Sequence, residues 1–446
     1  MFTECICNES GYPVPRLNVA IDSEHGFYKR LKGFQEHFHS CFHRSESRDK
    51  FLAYLAGQLS RIKRKSIEPM AREIDGASIR GLQRFISDSS WEEEKMLEIY
   101  HELVNEDIGH SKGALIFDET GFVKKGNDSA GVARQFWGKS DKQDNCQVGV
   151  FCAYASPYGY SLLDKRLYMP QAWFTEEFKP RRRKCKIPDE SGYRHRSLLG
   201  AEMISKAVKR NSLPFSYAVS NNQSLNGQEF MNALANIDEV TFFLAVPGDL
   251  RCWFSVAGSS FPGARLSAGG RAGADKAEPQ LVRMDSLARQ INPYYWYKFK
   301  SPNRASEPYG YELTRITVFL NKDGHPGRRV WLVIKRTPAE GPEYNYYLCN
   351  ADKGVPLSTL AWLSGLSWAI DRCFIEARSF VGLDHYEVRK FRGWHHHMLT
   401  CMLSHFFLWH MYISSGTKSK DCYQLEEGKN VRRLLKADNQ LHPDFS

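Results

Sequence analysis

The segment Gly113-Ala-Leu-Ile-Phe-Asp-Glu-Thr-Gly-Phe-Val-Lys-Lys-Gly126 decides how this chain folds. Its apolar residues 114–117 predict a buried strand, and Asp118 is expected where that strand ends. The glycines and lysines that follow predict a turn, which would leave the Asp118 carboxylate at a sheet edge within reach of a metal ion. An aspartate at a strand end is also a common turn residue, so both interpretations stay open on this segment alone.

The residues after this segment predict a mixed α/β sheet. Residues 146–155 and 161–168 are predicted strands joined by a turn at Tyr158-Gly159. The next predicted elements are, in order, a helix, a strand, a helix and a strand at residues 198–209, 216–220, 227–235 and 241–246. Strands followed by alternating helices and strands fit an α/β fold whose sheet is flanked by helices.

Composition limits the class of protein. With 446 residues, 42% hydrophobic and 13% aromatic, the chain can bury a large core in two or three globular domains. The formal net charge of +10 suits a polyanionic partner, although a basic protein without such a partner fits it equally well. No apolar run approaches the roughly 18 residues that span a bilayer, and no signal-peptide pattern opens the sequence. The cysteines include no Cys-x-x-Cys pair, which indicates reduced core residues of a cytoplasmic protein.

Residues 24–110 predict a helical region, because apolar residues between positions 51 and 67 recur at helical spacing. A basic cluster beside them is either a solvated helix end or a phosphate contact. Its members are Arg61, Lys63, Arg64 and Lys65. The densest positive run of the chain, residues 179–186, is either a solvated loop or a contact to a DNA backbone. Its central residues are Arg181, Arg182, Arg183 and Lys184.

A β-rich segment is predicted between residues 251 and 345. Residues 254–279 are rich in Gly, Ala and Ser, which indicates an exposed connection. Residues 311–320 and 329–336 predict a hairpin across residues 321–324.

Two final helices are expected at residues 357–380 and 394–412, and a polar tail follows. The second helix is apolar at helical spacing and is therefore predicted to lie in the core. Three consecutive histidines, residues 395–397, point in different directions from a helix and therefore cannot share one metal ion.

Three blocks in this order resemble the bacterial insertion-sequence transposases of the DDE type, which have a ribonuclease-H-like core. The first block joins the Asp118 segment to residues 131–138 (GVARQFWG) and 145–151 (NCQVGVF). The second runs from PFSYAVSNN, which begins at Pro214, to FFLAVP, which begins at Phe242. The third contains YYLCN, WAIDRCF and GLDHYEVRKFRGWHHHM, the last ending at Met398.

The resemblance implies an architecture as well as a chemistry. Residues 111–250 and 346–414 would form the ribonuclease-H-like core, a mixed sheet flanked by helices. Residues 1–110 would form a helical DNA-binding domain, and residues 251–345 a β-rich insertion before the last core helix. Residues 415–446 would be a polar C-terminal tail. Enzymes of this type cut and join DNA with two Mg²⁺ ions, or Mn²⁺, held by three carboxylates.

The resemblance places those three acid positions at Asp118, Asn221 and Asp371. Glu119 is a poorer substitute for Asp118, because strand alternation points it to the other face. Asn221 is followed by Asn222, so an amide stands at the second position in either register, and one negative charge is missing. Asp371 stands where the family has glutamate, so its carboxylate is drawn back by one methylene. A displacement of about 1 Å in a catalytic group can lower the rate on the order of 100-fold.

The last core helix departs from the family at further positions. Ser364, Ser367, Asp371 and Arg378 are expected on one face, where related transposases show Tyr, Arg, Glu and Lys. Arg378 keeps the positive charge of the family's lysine, which binds phosphate, whereas Ser367 lacks the positive charge of the family's arginine. An engineered Asp→Asn change would account for Asn221 alone, whereas loss or repurposing of the active site accounts for every departure. Acids that could substitute in a shifted register are Asp238, Glu239 and Asp249.

The resemblance also implies that basic side chains contact DNA phosphates. The predicted DNA-binding residues are Arg61, Lys63, Arg64, Lys65, Lys124, Lys125, Arg181, Arg182, Arg183, Lys184 and Arg378.

Three functions are compatible with these patterns. The first is a DDE transposase that acts on double-stranded DNA as a homodimer, with weakly bound Mg²⁺ or Mn²⁺ and catalysis weakened or lost. The second is a domesticated or remnant DNA-binding regulator without catalysis. The third, a cytoplasmic protein with no nucleic-acid role, conflicts with the basic clusters. The expected location is the bacterial cytoplasm, at the nucleoid, with no membrane partner.

Overall fold

The computed structural model describes Leu17 and residues 24–137, 142–237, 240–255, 279–299, 310–337 and 341–414. The chain forms two compact units. The central unit contains residues 216–368. The discontinuous unit contains the described residues up to 215 and those from 369 onward. The predicted domain boundaries at residues 110, 250 and 345 stay predictions.

The helices and strands follow the chain in this order. The helices are α1 (Glu24–Glu36), α2 (Ser45–Leu59), α3 (Ile67–Glu73), α4 (Ile79–Ser87), α5 (Glu93–Ile108), α6 (Lys179–Lys184), α7 (Arg196–Arg210), α8 (Gln228–Ala235), α9 (Met284–Gln290), α10 (Leu357–Gly365), α11 (Trp368–Glu376) and α12 (Phe391–Ser414). The strands are β1 (Ala114–Val123), β2 (Ala133–Gln135), β3 (Asp144–Ser156), β4 (Gly159–Tyr168), β5 (Tyr217–Ser220), β6 (Thr241–Val246), β7 (Arg251–Phe254), β8 (Gln280–Arg283), β9 (Tyr297–Phe299), β10 (Tyr311–Lys322), β11 (His325–Arg336) and β12 (Tyr344–Cys349).

The discontinuous unit is built on β3. This strand pairs antiparallel with β1 along one edge, and with β2 and β4 along the other. The predicted strands at residues 146–155 and 161–168, and the turn between them, are confirmed. The helix predicted at residues 198–209 is confirmed as α7.

The N-terminal helices α1, α2, α4 and α5 pack against α12 in this same unit, α5 also packs against β4, and α3 packs against α2 and α4. The rings of Phe34 and Phe407 lie 5.3 Å apart, and Trp91 stacks on His396 at 3.7 Å. The hydroxyl of Tyr100 donates a hydrogen bond of 2.5 Å to the carbonyl of Leu162 in β4. The predicted helical character of residues 24–110 is confirmed, but these helices bury their apolar faces on the core and do not form a unit of their own.

Strand β1 continues beyond Asp118, contrary to the prediction that it ends there. Its pairing with β3 runs without a break to Val123, which lies opposite Cys146. The ring of Trp137 packs directly over Gly121 of this continuation, and a side chain at position 121 would occupy the space of the ring. Glycine has no side chain, so the strand can continue beneath the ring. Asp118 is therefore a residue in the middle of a strand, on one of its two faces.

The central unit is a second set of paired strands. β5 and β6 are parallel, and the order then continues through β12, β11, β10, β7 and β8, with β9 also on β10. The predicted hairpin is confirmed: Asp323 and Gly324 turn between β10 and β11 with φ values of 51° and 82°. The β-rich segment therefore extends the strands β6 and β12 by direct pairing. The Gly/Ala/Ser-rich connection falls outside the described residues from position 256 to 278.

The helix predicted at residues 357–380 is interrupted. α10 ends at Gly365, α11 begins at Trp368, and residues 377–381 form a π-helical turn that ends at Gly382 with φ of 70°. Ser364 donates its hydroxyl to the carbonyl of Ala361, a bond that competes with regular helix geometry next to a glycine. Ser364, Ser367, Asp371 and Arg378 therefore do not lie on one continuous helix, contrary to the prediction that they share one helix face.

Helix α12 is confirmed as a core helix, with Trp394, Met398 and Phe406 fully buried. Within the described residues, no helix combines the length and the apolar character that crossing a bilayer requires.

We expect Gly121→Ala to lower the free energy of unfolding by about 1–3 kcal/mol, because core overpacking has this effect. The new Cβ would lie 2.2 Å from Cδ2 of Trp137, so the ring would have to move. Urea denaturation followed by tryptophan fluorescence measures the difference. Gly126→Ala is the matched control, since no heavy atom lies within 4 Å of a Cβ built there. Equal midpoints for the two variants would contradict this account of β1.

Candidate active site

Asp118 and Asp371 lie on packed faces of β1 and α11 within the discontinuous unit. Asp118 is directly opposite Phe151 of β3, so their side chains project to the same side of the sheet. Phe374 lies one turn after Asp371 on α11, and its ring is 5.3 Å from that of Phe151. The two acids predicted as the first and third positions are thus brought to the same side of β1. Both carboxylates are half-buried, and Oδ1 of Asp118 accepts a 2.7 Å hydrogen bond from its neighbour's backbone N–H.

Arg378 ties the π-helical turn to β1. Its Nη2 donates to Oγ1 of Thr120 at 2.5 Å and to the carbonyl of Gly121 at 3.3 Å. Thr120 is two residues from Asp118 and therefore projects from the same face of the strand. The guanidinium that was predicted to contact DNA thus holds the helical segment in place beside Asp118.

Glu119 faces away from Asp118 and is held by an internal cation. Nη1 of Arg196, at the start of α7, lies 2.7 and 2.9 Å from its two carboxylate oxygens. The pair is almost fully buried, and the guanidinium also lies 4.6 Å from the ring centre of Tyr168. A carboxylate paired in this way is a structural group, which agrees with the expectation that Glu119 does not replace Asp118.

Asn221 lies in the central unit, directly after β5. Its Nδ2 donates a hydrogen bond of 2.5 Å to Oγ of Ser367, which lies between α10 and α11. Its Oδ1 is buried and has no hydrogen-bond partner. Asn221 and Ser367, two of the residues predicted to depart from the family pattern, are therefore hydrogen-bonded to each other. Of the acids that could substitute, Asp249 is exposed after β6, and Asp238 and Glu239 lie outside the described residues.

Glu376 is a buried acid that the sequence did not single out. Its Oε1 accepts hydrogen bonds from Tyr160 at 2.8 Å and Arg372 at 2.7 Å, and its Oε2 lies 3.0 Å from Nε2 of His405. The Arg372–Glu376 spacing of four residues is a signal that a sequence carries. The partners from β4 and α12 are distant in sequence, so no local pattern reveals them. With three partners, Glu376 joins α11 to the core.

The oxygen atoms at the three predicted positions are of the type that binds a hard cation, but they carry too little negative charge. Two carboxylates and the unpartnered Oδ1 of Asn221 are ligands of the type that Mg²⁺ prefers. Only two negative charges stand where the family pattern has three. In the part of the chain that the structure describes, no group of three or more His, Cys, Asp or Glu side chains is arranged to hold a metal ion.

The basic residues at the end of α2 have different environments. Lys63 is exposed, and the exposed Arg64 forms an ion pair with Glu387. Lys65 is buried, its Nζ donates to the carbonyl of Ser60, and burial lowers the pKa of its ammonium to about 8. Lys65 was predicted to contact DNA, but because it is buried it is not part of the protein surface. Arg61 is half-buried.

Lys124 and Lys125 follow β1. Nζ of Lys124 lies 3.4 Å from the ring centre of Tyr386, and burial lowers the pKa of its ammonium to about 8 despite the nearby Asp384 and Glu387. Lys125 is exposed. Of the two lysines, Lys125 has the geometry of a surface contact.

Residues 179–184 of the positive run at 179–186 form the helix α6, which was not predicted. Arg181 and Arg183 are exposed, with Arg181 5.0 Å from the ring centre of Phe178. Arg182 instead donates to the carbonyls of Trp173 and Thr175 at 2.7 and 3.1 Å. The run therefore contains both surface charges and a structural arginine.

A second basic segment, residues 389–392, lies beside α6 and was missed by the sequence reasoning. Backbone hydrogen bonds join Phe391 to Cys185 and Ala130 to Arg389. Two acids hold the cations: Lys186 and Lys390 pair with Asp88, and Lys184 and Arg389 pair with Asp128. We define the α6 surface by the cations Arg181, Arg183, Lys184, Lys186, Arg389, Lys390 and Arg392. It joins segments about 200 residues apart, and local charge runs cannot reveal such a surface.

The three histidines of α12 lie in three different environments, as predicted. Nδ1 of His396 donates to the carbonyl of Ile86 at 2.9 Å. Nε2 of His397 lies 3.3 Å from the carbonyl of Gly382 and its Nδ1 lies 2.9 Å from the hydroxyl of Tyr54, so Nε2 carries the proton. Burial lowers the pKa of His395 and His397 to about 3, and that of His396 to about 4.

Residues 37–294, more than half of the chain, match the family described as DDE superfamily endonuclease, and the chain belongs to that family. A protein of Microchaete diplosiphon named "Probable transposase for insertion sequence element IS701" is 28% identical over 208 residues, which cover 46% of this chain and 49% of that protein. The chain thus spans about half the length of the curated relative it matches. The resemblance to the DDE superfamily and the mixed α/β fold class are confirmed.

We expect the protein to lose stability as the pH falls from 6.5 towards 4. In this range the unfolded chain protonates the imidazole of His396, while burial keeps it neutral in the folded state. Unfolding at pH 5 therefore takes up protons, and His396→Gln should reduce this uptake by nearly one proton. The pH dependence of the urea midpoint measures the effect. His43→Gln, which removes an imidazole from an exposed position, is the control. Equal slopes for the two variants would refute the assignment.

Proposed function

We propose that this chain is a DNA-binding protein of the insertion-sequence transposase type, whose relatives cut and join DNA at element ends, and that its own cutting chemistry is weak or lost. The observation that carries the proposal is the pairing of Asn221 with Ser367 at 2.5 Å. A neutral amide stands at the second acid position, and its nitrogen is engaged with another residue that departs from the family.

In this proposal Asp118 and Asp371 are the residues that would hold Mg²⁺ or Mn²⁺, and the cation would activate the attacking oxygen and stabilise the leaving oxygen of the phosphodiester. Asp118 and Asp371 supply two negative charges on one side of β1. A third charge is missing, so two dications close together would repel each other more than in an enzyme with three acids. Phe151, Phe374 and Arg378 hold the two carboxylate-bearing elements together, and this arrangement supports a site that keeps its shape.

The proposed partner is double-stranded DNA, bound through its phosphates. The α6 surface has seven cations, all exposed except the half-buried Lys390, against Asp88 and Asp128, and a surface of this charge favours a polyanion. Lys63, Arg64 and Lys125 are further exposed contacts in this proposal. We propose a homodimer on DNA, because cutting two element ends in one complex requires two active sites. The corresponding location is the bacterial cytoplasm, at the nucleoid.

A second candidate is a domesticated or remnant regulator that binds DNA without cutting it. The Asn221–Ser367 hydrogen bond favours this candidate, because it stabilises the amide at a position where catalysis needs an acid. The two candidates share the DNA-binding surface and differ only in whether a divalent cation supports nicking.

The experiment that separates them is nicking of supercoiled plasmid with Mg²⁺ or Mn²⁺. We expect the unmodified protein to nick poorly, and the Asn221→Asp, Asp371→Glu double variant to nick at least about 100-fold faster, because both the charge and the reach of the carboxylate return. Asp118→Ala in the double variant is the blank. Nicking by the unmodified protein above that blank would favour a working transposase. No nicking by either protein would contradict the proposed acid positions.

We expect Arg181→Ala with Arg183→Ala to reduce the slope of log K against log salt by about 2, because each phosphate contact contributes about 1 to that slope. Fluorescence anisotropy with a labelled duplex measures binding across a salt series. Lys322→Ala with Lys353→Ala removes the same charge from exposed positions of the central unit and is the control. Equal slopes for the two double variants would show that the α6 surface makes no specific contribution to phosphate binding.

A further inference from the structure

Two carboxylates lie among the cations of the α6 surface, and all of these residues belong to the discontinuous unit. On each carboxylate, one oxygen contacts two cations, one from residues 184–186 and one from residues 389–390. Lysine and arginine form the same charge-assisted hydrogen bonds with phosphate as with carboxylate, so a phosphate oxygen fits each position. The contacts are those of Oδ1 of Asp88 with Nζ of Lys186 at 3.0 Å and Nζ of Lys390, and of Oδ2 of Asp128 with Nζ of Lys184 at 2.7 Å and Nη1 of Arg389 at 3.7 Å.

Other contacts than these ion pairs hold the segments of the α6 surface together. The backbone N–H of Phe391 donates to the carbonyl of Cys185 at 2.9 Å, and that of Ala130 donates to the carbonyl of Arg389 at 3.0 Å. The ring of Phe391 also lies 4.6 Å from that of His395 in α12. Main-chain hydrogen bonds and an aromatic contact therefore fix the two basic segments side by side without either carboxylate.

Asp88 and Asp128 also contribute little to the stability of the fold. Their side chains are 39% and 42% exposed, and exposed ion pairs are weakly stabilising. Asp88 directly follows the last residue of α4, where a negative charge opposes the helix dipole. Hydrogen bonds from the paired lysines lower the pKa of both carboxyls, so both are charged at neutral pH. The main effect of the two charges is therefore on what binds at the α6 surface.

We propose that Asp88 and Asp128 occupy phosphate positions of the α6 surface in the free protein, and that DNA binds there by displacing them. This inference rests on the proposed function, since it takes the surface to bind DNA phosphates. A phosphate that replaces a carboxylate gains two cations but is still repelled by the displaced acid. The two acids thus limit the affinity for DNA, and binding requires that several phosphates contact the surface at once.

The test is the DNA affinity of Asp88→Asn with Asp128→Asn, which removes both charges and keeps side chains of nearly the same size. Fluorescence anisotropy with a labelled duplex gives the Kd and its dependence on salt. We expect the double variant to bind about tenfold more tightly, since one exposed charge contact changes an equilibrium by up to about fivefold. The slope of log K against log salt should steepen by about 1–2, because binding no longer exposes two acids that take up counterions.

Two further double variants separate the position of the acids from their charge. Glu102→Gln with Glu106→Gln removes the same charge from exposed positions in the last two turns of α5. It should change the Kd less than about twofold, because salt confines the effect of a charge to nearby phosphates. Asp88→Glu with Asp128→Glu keeps both charges and should retain the parent Kd. Thermal melting checks that every variant is folded.

The outcomes distinguish this inference from the proposed function. If Arg181→Ala with Arg183→Ala weakens DNA binding, but loss of the two acids does not strengthen it, the displacement is wrong and the DNA-binding surface stands. Weaker binding after loss of the acids would show that they hold the surface together, which also overturns the inference. An equal gain from the α5 control would identify a general effect of net charge, with the same consequence. If no variant changes DNA binding, the DNA-binding role of the α6 surface and the displacement both fail.

Discussion

Burial of α12 is the constraint on which the discontinuous unit depends. The helix is apolar around most of its circumference, with Trp394 and Phe406 fully buried, and such a helix requires cover on every side. α1–α5 supply this cover on one side and β4 on another. Polar groups on α12 must also find partners inside, as His397 does with Tyr54 of α2. The N-terminal helices are therefore part of the core, and a DNA-binding role for them would be performed by a surface of that core.

The same packing positions the candidate acids. The Phe151–Phe374 contact sets α11 against β1, and Arg378 fastens the following turn to the same strand. Other buried acids are paired with cations: Glu119 with the largely buried Arg196, and Glu376 with the half-buried Arg372. Breaking a buried pair of this kind leaves a charge uncompensated, which ties these acids to the stability of the fold.

At position 221 the resemblance implies an asparagine in place of an acid, a difference that would concern charge more than shape. An amide and a carboxylate have nearly the same size, so β5 and its neighbours accommodate either one. What changes is one unit of negative charge and the equivalence of the two terminal atoms. The first change weakens the attraction for a dication, and the second makes the orientation of the side chain matter.

Periodicity and composition in the sequence predict most of the elements, because hydrophobic spacing is a local signal. They predict β3, β4, α7, the β10–β11 hairpin and the core position of α12. They miss the extension of β1 past Asp118, because the packing of Trp137 on Gly121 is a tertiary contact that local spacing does not show. They also miss the break near Ser367 and the burial of Lys65. The acid positions come from the family pattern, whereas the Asn221–Ser367 bond, the Glu376 contacts and the α6 surface exist only in the folded chain. Apart from the Arg372–Glu376 pair, each of them joins residues far apart in sequence, and long-range contacts leave no trace in local spacing.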